Sequence, residues 1–467
     1  MPEFGSLYVS YSGLDAQRKR LDVIGDNIAN VDTEGYHRQR VLLKPVGRIQ
    51  GGLHTGHTKS SGGVSADEIN RMRDETLAAH ARNQSSVAAD RTASAKTLND
   101  LEGILAGLDD GGLRSRMTEF FNTFDDLANV PEDPAVRAVV LQQAESVADG
   151  FTQVSADIND LHRQSTDTML DQVRQINMLS EQIATMNDQI RSATTNESQP
   201  NALLDRRDLK VAELAQLVDI TVVETGSGQI VVSLDGHHLV SGDSAMAVAA
   251  ELQTDPSLAA VGYQKYGIAN ENGRELRIGG GELAASLRAI SQLVPSARIE
   301  LDTLRDDLMA EVNTLHAGGM GLDGSTGNDM FEAPADPTSG GLLVSADVAG
   351  QPEKVAAAAV GAGTLDTGNA EAMAELSESI DGPVTGYITM VTDLAASVNT
   401  AEGAAGASQA ASTLAQNLAL AVGGVSLDQE LTDLITAQRA YEASARTMTA
   451  IDEMLQTLIN QTGLVGR

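Results

Sequence analysis

The chain has no cysteine and no tryptophan, and aromatic residues make up only 3 % of its 467 positions. Without thiols there is no disulfide framework, no thiolate metal site and no cysteine nucleophile. With so few rings there is no stacking platform for nucleic-acid bases. Basic residues are scarce as well: 32 Lys and Arg against 65 Asp and Glu leave a net charge of −33. A field of that sign repels polyphosphate, so no nucleic acid is expected as a partner. No apolar run approaches the roughly 20 residues that span a bilayer, the greasiest pieces being Val355 to Val360 and Leu418 to Val422, so a soluble chain with no membrane partner is expected. The opening MPEFGSLYVSYSGLDAQRKR carries its charged cluster after its apolar residues and shows no block before a small-residue cleavage site, unlike a Sec-type signal peptide.

Motifs for chemistry are equally thin. There is no HExxH and no GxSxG. His54 and His57 make an HxxH in GGLHTGHTKSSGG, but no third ligand accompanies them, and Lys59-Ser60 follows Thr58 where a phosphate loop demands Gly. DGSTGNDMFEAP would be an EF-hand from Asp323 only with Gly at 328 and an acid at 334, where Asn328 and Pro334 stand. No catalytic residue, metal ligand or cofactor is therefore assigned. A glycosidase acting on the cell wall is the rival from the enzyme class, since its two carboxylates need only a cleft. A cytoplasmic coiled-coil adaptor is the other rival.

What the chain does contain is helix. From Gln84 to Leu217 apolar residues recur at three- and four-residue spacing, interrupted only by Pro131 and Pro134 and then by TTNESQPN around Pro200. Val140, Val147, Val154 and Leu161 fall seven apart, as do Met169, Ile176, Ile183 and Ile190, with Leu179 and Met186 between them. One helix from Ala135 to Arg191 would be ~85 Å long and would need partner helices beside it. A further stripe joins Leu204, Val211, Leu214 and Leu217. From Asp219 the period becomes two: DITVVE, QIVVSL, the turn Asp235-Gly236, HHLVSG, and on to ELRI, which reads as a β-meander. Helix returns with Leu301, Leu304, Leu308, Val312 and Leu315. From Gly318 to about Gly406 only fragments of pattern survive in a Gly-, Ala- and Asp-rich stretch. Between Arg305 and Arg439 the one basic residue is Lys354, against nineteen acids, which reads as a solvated acidic surface.

The two ends form a matched pair. Leu7, Leu14, Leu21 and Ile28 lie seven apart with Ile24 and Val31 interleaved, and Leu427, Leu434, Tyr441, Met448 and Leu455 repeat the spacing, with Ile451 and Leu458 beside them. A single narrow seam on a helix of about 24 residues is marginal alone, so each end is expected to order only with a mate. Spacing leaves open whether that mate is the chain's own core or a neighbouring molecule. The expected fold is mainly α: a long helical bundle with paired N- and C-terminal coiled-coil helices and a small inserted β-rich domain. Its divisions are 1–36 (N-terminal helix), 37–217 (first part of the bundle), 218–283 (outer β-rich unit), 284–425 (second part, with the acidic segment) and 426–467 (C-terminal helix).

Within the first end, Ser12-Gly13-Leu14, Asn27-Ile28-Ala29-Asn30, Thr33, Gly35-Tyr36 and Arg38-Gln39 stand in the order and separation of the N-terminal signature of bacterial flagellar rod, hook and hook-associated proteins. The closing GVSLDQELTDLITAQRAYEASARTMTAIDEMLQTLIN resembles that family's last helix, through Gln438, Ala440-Tyr441, Ala443 and Asp452-Glu453-Met454. Ala437 departs from it, because the family commonly carries an aromatic there. The segment LLDRRDLKVAELAQLVDITVVETGSGQIVVSLDGHHLVSG, with GGELAASLRAI and LDTLRDDLMAEVNTLHAGGMGLDGSTGNDMF, is similar to hook-associated members and not to rod or hook members. The likeness covers both ends and most of 84–331, and is loose from there to about Gly424.

The resemblance implies a non-enzymatic structural subunit at the junction of hook and filament, with a hook or rod type of axial protein as the alternative. It implies export through the flagellar type III channel without signal cleavage, and an extracellular place in the flagellum. The implied partners are further copies of the chain, hook protein, hook-associated protein 3 and an export chaperone on the C-terminal helix. The implied assembly interface is Leu14, Leu21, Ile24, Asn27, Ile28, Asn30, Gly35 and Tyr36 with Leu427, Leu434, Gln438, Tyr441, Met448 and Leu455. On the residues alone, Asn27 and Asn30 read equally as C-terminal caps of the first helix, with Gly35 free to take positive φ in the turn that Tyr36 closes.

Overall fold

The structure, a computed structural model, describes residues 3–46, 62–107, 112–196, 199–226 and 228–462; the loop with His54 and His57 lies outside them. Helix α1 (Glu3–Ala29) leads into an antiparallel hairpin of β1 (Gln39–Pro45) and β2 (Val64–Arg71), whose Val41 and Ala66 bury Ala16 and Val23 of α1. Helices α2 (Glu75–Ala106) and α3 (Leu113–Asn129) follow. Asp74 caps α2 by accepting from the amides of Thr76 and Leu77.

The central rod is α4 (Pro134–Thr195), 62 residues long. Asp133 caps it by accepting from the Ala135 amide, and Pro134 at its first position needs no amide partner. Its heptad stripe serves two cores in succession. Val140, Val147 and Leu161 bury against α3 and the helix of 294–317, while Met169, Ile176, Ile183 and Ile190 turn inward on the second half. There α5 (Asn201–Leu217) packs alongside, and two small sheets complete the cover.

The meander expected from 219 to 278 is two sheets, not one. β3 (Thr221–Glu224), β4 (Ile230–Leu234), β5 (His237–Ser241) and β6 (Ser244–Ala245) make the first; β7 (Val248–Gln253), β8 (Lys265–Asn270) and β9 (Glu275–Leu276) make the second, with the short α6 (Pro256–Ala260) between β7 and β8. Asp235 and Gly236 both take positive φ, 48° and 76°, as a two-residue hairpin turn of the right twist requires. Two asparagines of α4 hold the sheets by acting as extra strand edges. Asn177 exchanges both bonds with the backbone of Val248 at 2.8 Å, and the buried Asn187 does the same with Ile230 at 2.8 and 3.1 Å. Period-two patterning predicts strands but carries no sign of these anchors.

Helices α7 (Gly281–Arg288) and α8 (Val294–Ala317) are joined by a π-helical turn at Ala289–Leu293. Pro295 explains it: the ring has no amide to offer the preceding turn, and widening the helix absorbs the mismatch. His162 of α4 donates from Nε2 to the Ile290 carbonyl at 3.1 Å and stacks on Tyr263, ring centroids 3.8 Å apart.

The stretch after Gly318 is more ordered than its composition suggests. Two minimal sheets pair β10 (Gly319–Met320) with β13 (Ala358–Ala359) and β11 (Phe331–Glu332) with β12 (Leu343–Val344), and α9 (Gly368–Glu375) follows. Then comes α10 (Pro383–Gly423), a 41-residue helix that periodicity does not reveal, leading to α11 (Leu427–Thr462). In the first half of α10 Val384, Tyr387, Met390 and Val398 are buried, whereas farther on Ser408, Ser412 and Ala415 hold the buried positions; the helix packs along α2, with Asn99 bonded to Glu402 at 2.8 Å and the Tyr387 hydroxyl to the Leu105 carbonyl. Its alanines also make the α10–α11 region long and apolar enough to cross a membrane by length and composition, which corrects the expectation that no stretch is.

His316 is 1 % exposed and has one possible proton arrangement. Its Nε2 accepts from the Ala356 amide at 3.0 Å, so Nδ1 carries the proton and donates to the Asn328 carbonyl at 2.7 Å. Burial pushes both His162 and His316 below the ordinary value of 6.5. A base depressed in the folded state contributes stability that is complete above about pH 6.5 and lost as pH falls through the lower folded value. Thermal melting followed from pH 7.5 downward should therefore show Tm falling below about pH 6.5, and His316→Gln should flatten that slope. In urea, Ile183→Ala should cost about 2–4 kcal/mol by cavity formation, while Met178→Ala, at a side chain 51 % exposed, should change stability by less than about 0.5 kcal/mol.

Candidate assembly interface

The terminal helices lie antiparallel, and the chain's own other end is the mate that their spacing demands. Gly13 faces the Ser444 hydroxyl, Arg20 bonds Asp433 at 3.2 Å, and Asn27 bonds Glu430 at 3.1 Å. The seven-residue register of the contact is thus Gly13, Arg20 and Asn27, one position before Leu14, Leu21 and Ile28. Those three apolar residues flank the contact and are half-buried, as are Asn30, Gly35, Tyr36, Leu434, Tyr441, Met448 and Leu455. Ile24 and Asn27 are buried, Gln438 is exposed, and Leu427 is 45 % exposed. Gly13, Arg20 and Asn27, with Ser444, Asp433 and Glu430, thus add polar and small-residue contacts to the pair beside the half-buried leucine stripe. Ala437, where the family commonly carries an aromatic, is fully buried. The side chain of Leu458 lies outside the described residues.

At the head of α11 the N-terminal motif closes on one carboxylate. Glu430 is fully buried. Its Oε1 accepts from Arg38 Nε at 2.5 Å and its Oε2 from Asn27 Nδ2. The same Asn27 amide donates to the Gln39 carbonyl at 2.9 Å, while its Oδ1 accepts from the Gln39 amide at 2.9 Å and the Tyr36 hydroxyl at 2.9 Å. Arg38 also reaches Asp433 at 2.9 Å, and its amide donates to the Gly423 carbonyl at 2.8 Å. Burial above all, with Asp26, Asp205 and Glu430 nearby, pushes the Tyr36 hydroxyl up to about 12, so it keeps its proton and acts as a donor. Gly35 has φ 75°, a backbone conformation that favours glycine, while a Cβ there would make only ordinary contact with Leu209 at 3.5 Å, so the demand is conformational and not steric. Asn30 does cap α1: its side chain donates to the Asp26 carbonyl at 2.8 Å.

A second charge cluster fixes this strap to the body. His37 Nδ1 meets Asp205 Oδ1 at 2.8 Å, and Arg71 bonds both Asp205 at 2.8 Å and Asp208 at 2.9 Å. Burial works against the Arg71 charge, but Asp208 and Asp205 outweigh it and hold its value above the ordinary one. Sequence reasoning found Asn27, Tyr36, Arg38 and Gln39 but missed Glu430, Asp433, Asp205 and Asp208. Glu430 stands in the first turn of α11, where an acid reads as a partner of the helix dipole, and nothing in the spacing of any of the four tells a buried anchor from a solvated one.

The family described as flagellar hook-associated protein FlgK helical domain matches residues 98–331, half of the chain. The chain belongs to the FlgK family of flagellar hook-associated proteins. Two further families match its ends: flagella basal body rod protein over 7–37, and the C-terminal part of flagellar basal body rod FlgEFG protein over 417–461. Flagellar hook-associated protein 1 of Bacillus subtilis (strain 168) is 26 % identical over 511 residues, covering 99 % of this chain and 99 % of that protein. The protein of the same name from Escherichia coli (strain K12) is 29 % identical over 325 residues, 68 % of this chain and 58 % of its own. Among solved structures, the flagellar hook junction protein FlgK from Burkholderia pseudomallei superposes with a TM-score of 0.48 at 27 % identity, over 56 % of this chain and 47 % of that one. Membership places this FlgK-family chain among the structural components of the bacterial flagellum.

Glu430→Ala should leave the Arg38 and Asn27 donors buried without their shared acceptor, a loss of about 3 kcal/mol. Hydrogen exchange should then quicken in α1 and α11 while α4 stays protected; unchanged protection of the terminal pair would show that the carboxylate holds nothing.

Proposed function

We propose that the chain is a structural subunit joining flagellar hook to filament, acting by packing and not by catalysis. The observation that carries the reading is the closure of the N-terminal motif, Asn27, Tyr36, Arg38 and Gln39, on Glu430 of the C-terminal helix, which makes both ends one unit. The FlgK-family match between 98 and 331 favours the junction over rod or hook, although both ends match rod-protein families too. In this role segments 1–36 and 426–467 form the axial layer, the helices of 37–217 and 284–425 surround it, and the β unit of 218–283 stands outermost. The interface residues implied by resemblance, Leu14, Leu21 and Ile28 with Leu434, Tyr441 and Met448, are half-buried in one molecule, so neighbours would complete their burial.

Further copies of the chain, hook protein and hook-associated protein 3 are the proposed neighbours, an export chaperone its proposed escort, and the type III channel its exit without signal cleavage. The test is complementation of a flagellated bacterium lacking its own junction subunit. The full chain should restore filaments, and a chain without Leu427 to Arg467 should remain soluble and restore none. Normal filament growth with the truncation would refute the assembly role.

A further inference from the structure

Helix α2 packs mainly on α10, α7 and α5 and touches the central rod α4 only lightly. A trough of about 520 Å³ opens there, lined along α2 by residues from Ser85 to Asp100 and flanked by α4, α5, α7 and α10. At 1.5 Å per residue that stretch of α2 is roughly 22 Å long. The lining is neutral and polar, in a chain of net charge −33. Gln164, Gln172, Gln216, Gln409 and Gln416 line it with seven serines and threonines. Alanines and Leu161 supply its apolar surface, and no aromatic ring is present among the described lining residues. Of its three charges, Lys96 and Asp100 pair with each other at 3.5 Å, and Glu282 accepts from Gln172 Nε2 at 3.5 Å. Gln172 is 5 % exposed, and its Oε1 is buried without a partner. Gln164, Gln216, Gln409 and Gln416 are exposed, and Gln416 donates to the buried Ser412 hydroxyl at 3.2 Å.

This chemistry selects the class of ligand. Every lining residue stands in a helical turn, where backbone groups are already bonded, so an extended peptide gains no strand pairing and recognition falls to side chains. A partner helix would find only Leu161 as an apolar anchor. A phosphate would find one cation, already paired, beside two carboxylates. Amides and hydroxyls in this density match a ligand that is itself dense in hydroxyls, each of them donor and acceptor, and the alanines leave room for its C–H faces. The volume lies within the roughly 300–1,000 Å³ of small-ligand sites. We propose that the trough binds a short neutral saccharide, with Gln172 Oε1 accepting from one of its hydroxyls and the exposed glutamines bonding others at the rim. A buried amide oxygen ordinarily has a donor, and the bound sugar supplies the one that Gln172 lacks. The site goes beyond the structural role proposed above and does not depend on it.

The test is saturation-transfer NMR on the purified full chain, with maltotriose, cellotriose and tri-N-acetylchitotriose each offered at millimolar concentration. At least one should receive saturation and titrate to a single site. Gln172→Met keeps the length of the side chain and removes its amide; it should weaken that binding about three- to tenfold, as loss of hydrogen bonding does, and leave Tm unchanged or raised. Should this buried variant fail to fold, Gln409→Ala combined with Gln416→Ala changes only exposed side chains and should weaken binding by a similar factor. Transfer to none of the three sugars would overturn the proposal. Binding that both variants leave unchanged would place the sugar elsewhere on the chain and overturn it equally.

Discussion

A carboxylate with no access to water, Glu430, is the constraint on which the terminal architecture depends. An ionised group in such a place needs paired and hydrogen-bonded partners. Arg38 and Asn27 supply them, and in doing so bring the strap after α1, the first strand of the hairpin and the head of α11 to one point. Interlocking leucines would hold two helices together at many registers. A buried polar knot admits only one, which is the best-attested use of buried polarity in paired helices.

The body follows a different logic. Its long helix α4 presents one apolar stripe to two cores in turn, so the cores are coupled through a single rod without sharing a side-chain cluster. Backbone irregularities along it are matched by specific partners. The π turn that accommodates Pro295 exposes the Ile290 carbonyl, and His162 takes it up; the ends of the two sheets are taken up by Asn177 and Asn187. These three side chains of the rod thus satisfy backbone that would otherwise be buried without a partner.

Periodicity made the greater part of this legible. Helix α4 and its stripe, the shift to strands after Asp219, and the matched ends all follow from spacings of 7, 3.6 and 2, because apolar burial is what those spacings encode. The second half of helix α10 escaped because its buried positions are Ser408, Ser412 and Ala415, whose burial leaves no apolar period. The polar members of the terminal contact, Gly13, Arg20 and Asn27, are invisible to an apolar period for a related reason. Glu430 and Asp205 were hidden among 65 acids, since a sequence shows charge but not solvent.

The Asn27–Glu430 bond spans 403 residues, and Arg38 reaches across 392 to the same carboxylate. A ribosome or a narrow pore delivers the signature at the front of the chain long before its acceptor. Until the last helix emerges, Arg38 and Asn27 lack their shared acceptor Glu430, and contacts so distant along the chain are the slowest to form. Completion of the N-terminal end is thereby timed by the C-terminal one, and a nascent or partly delivered molecule stays open at the very place where finished ones are locked.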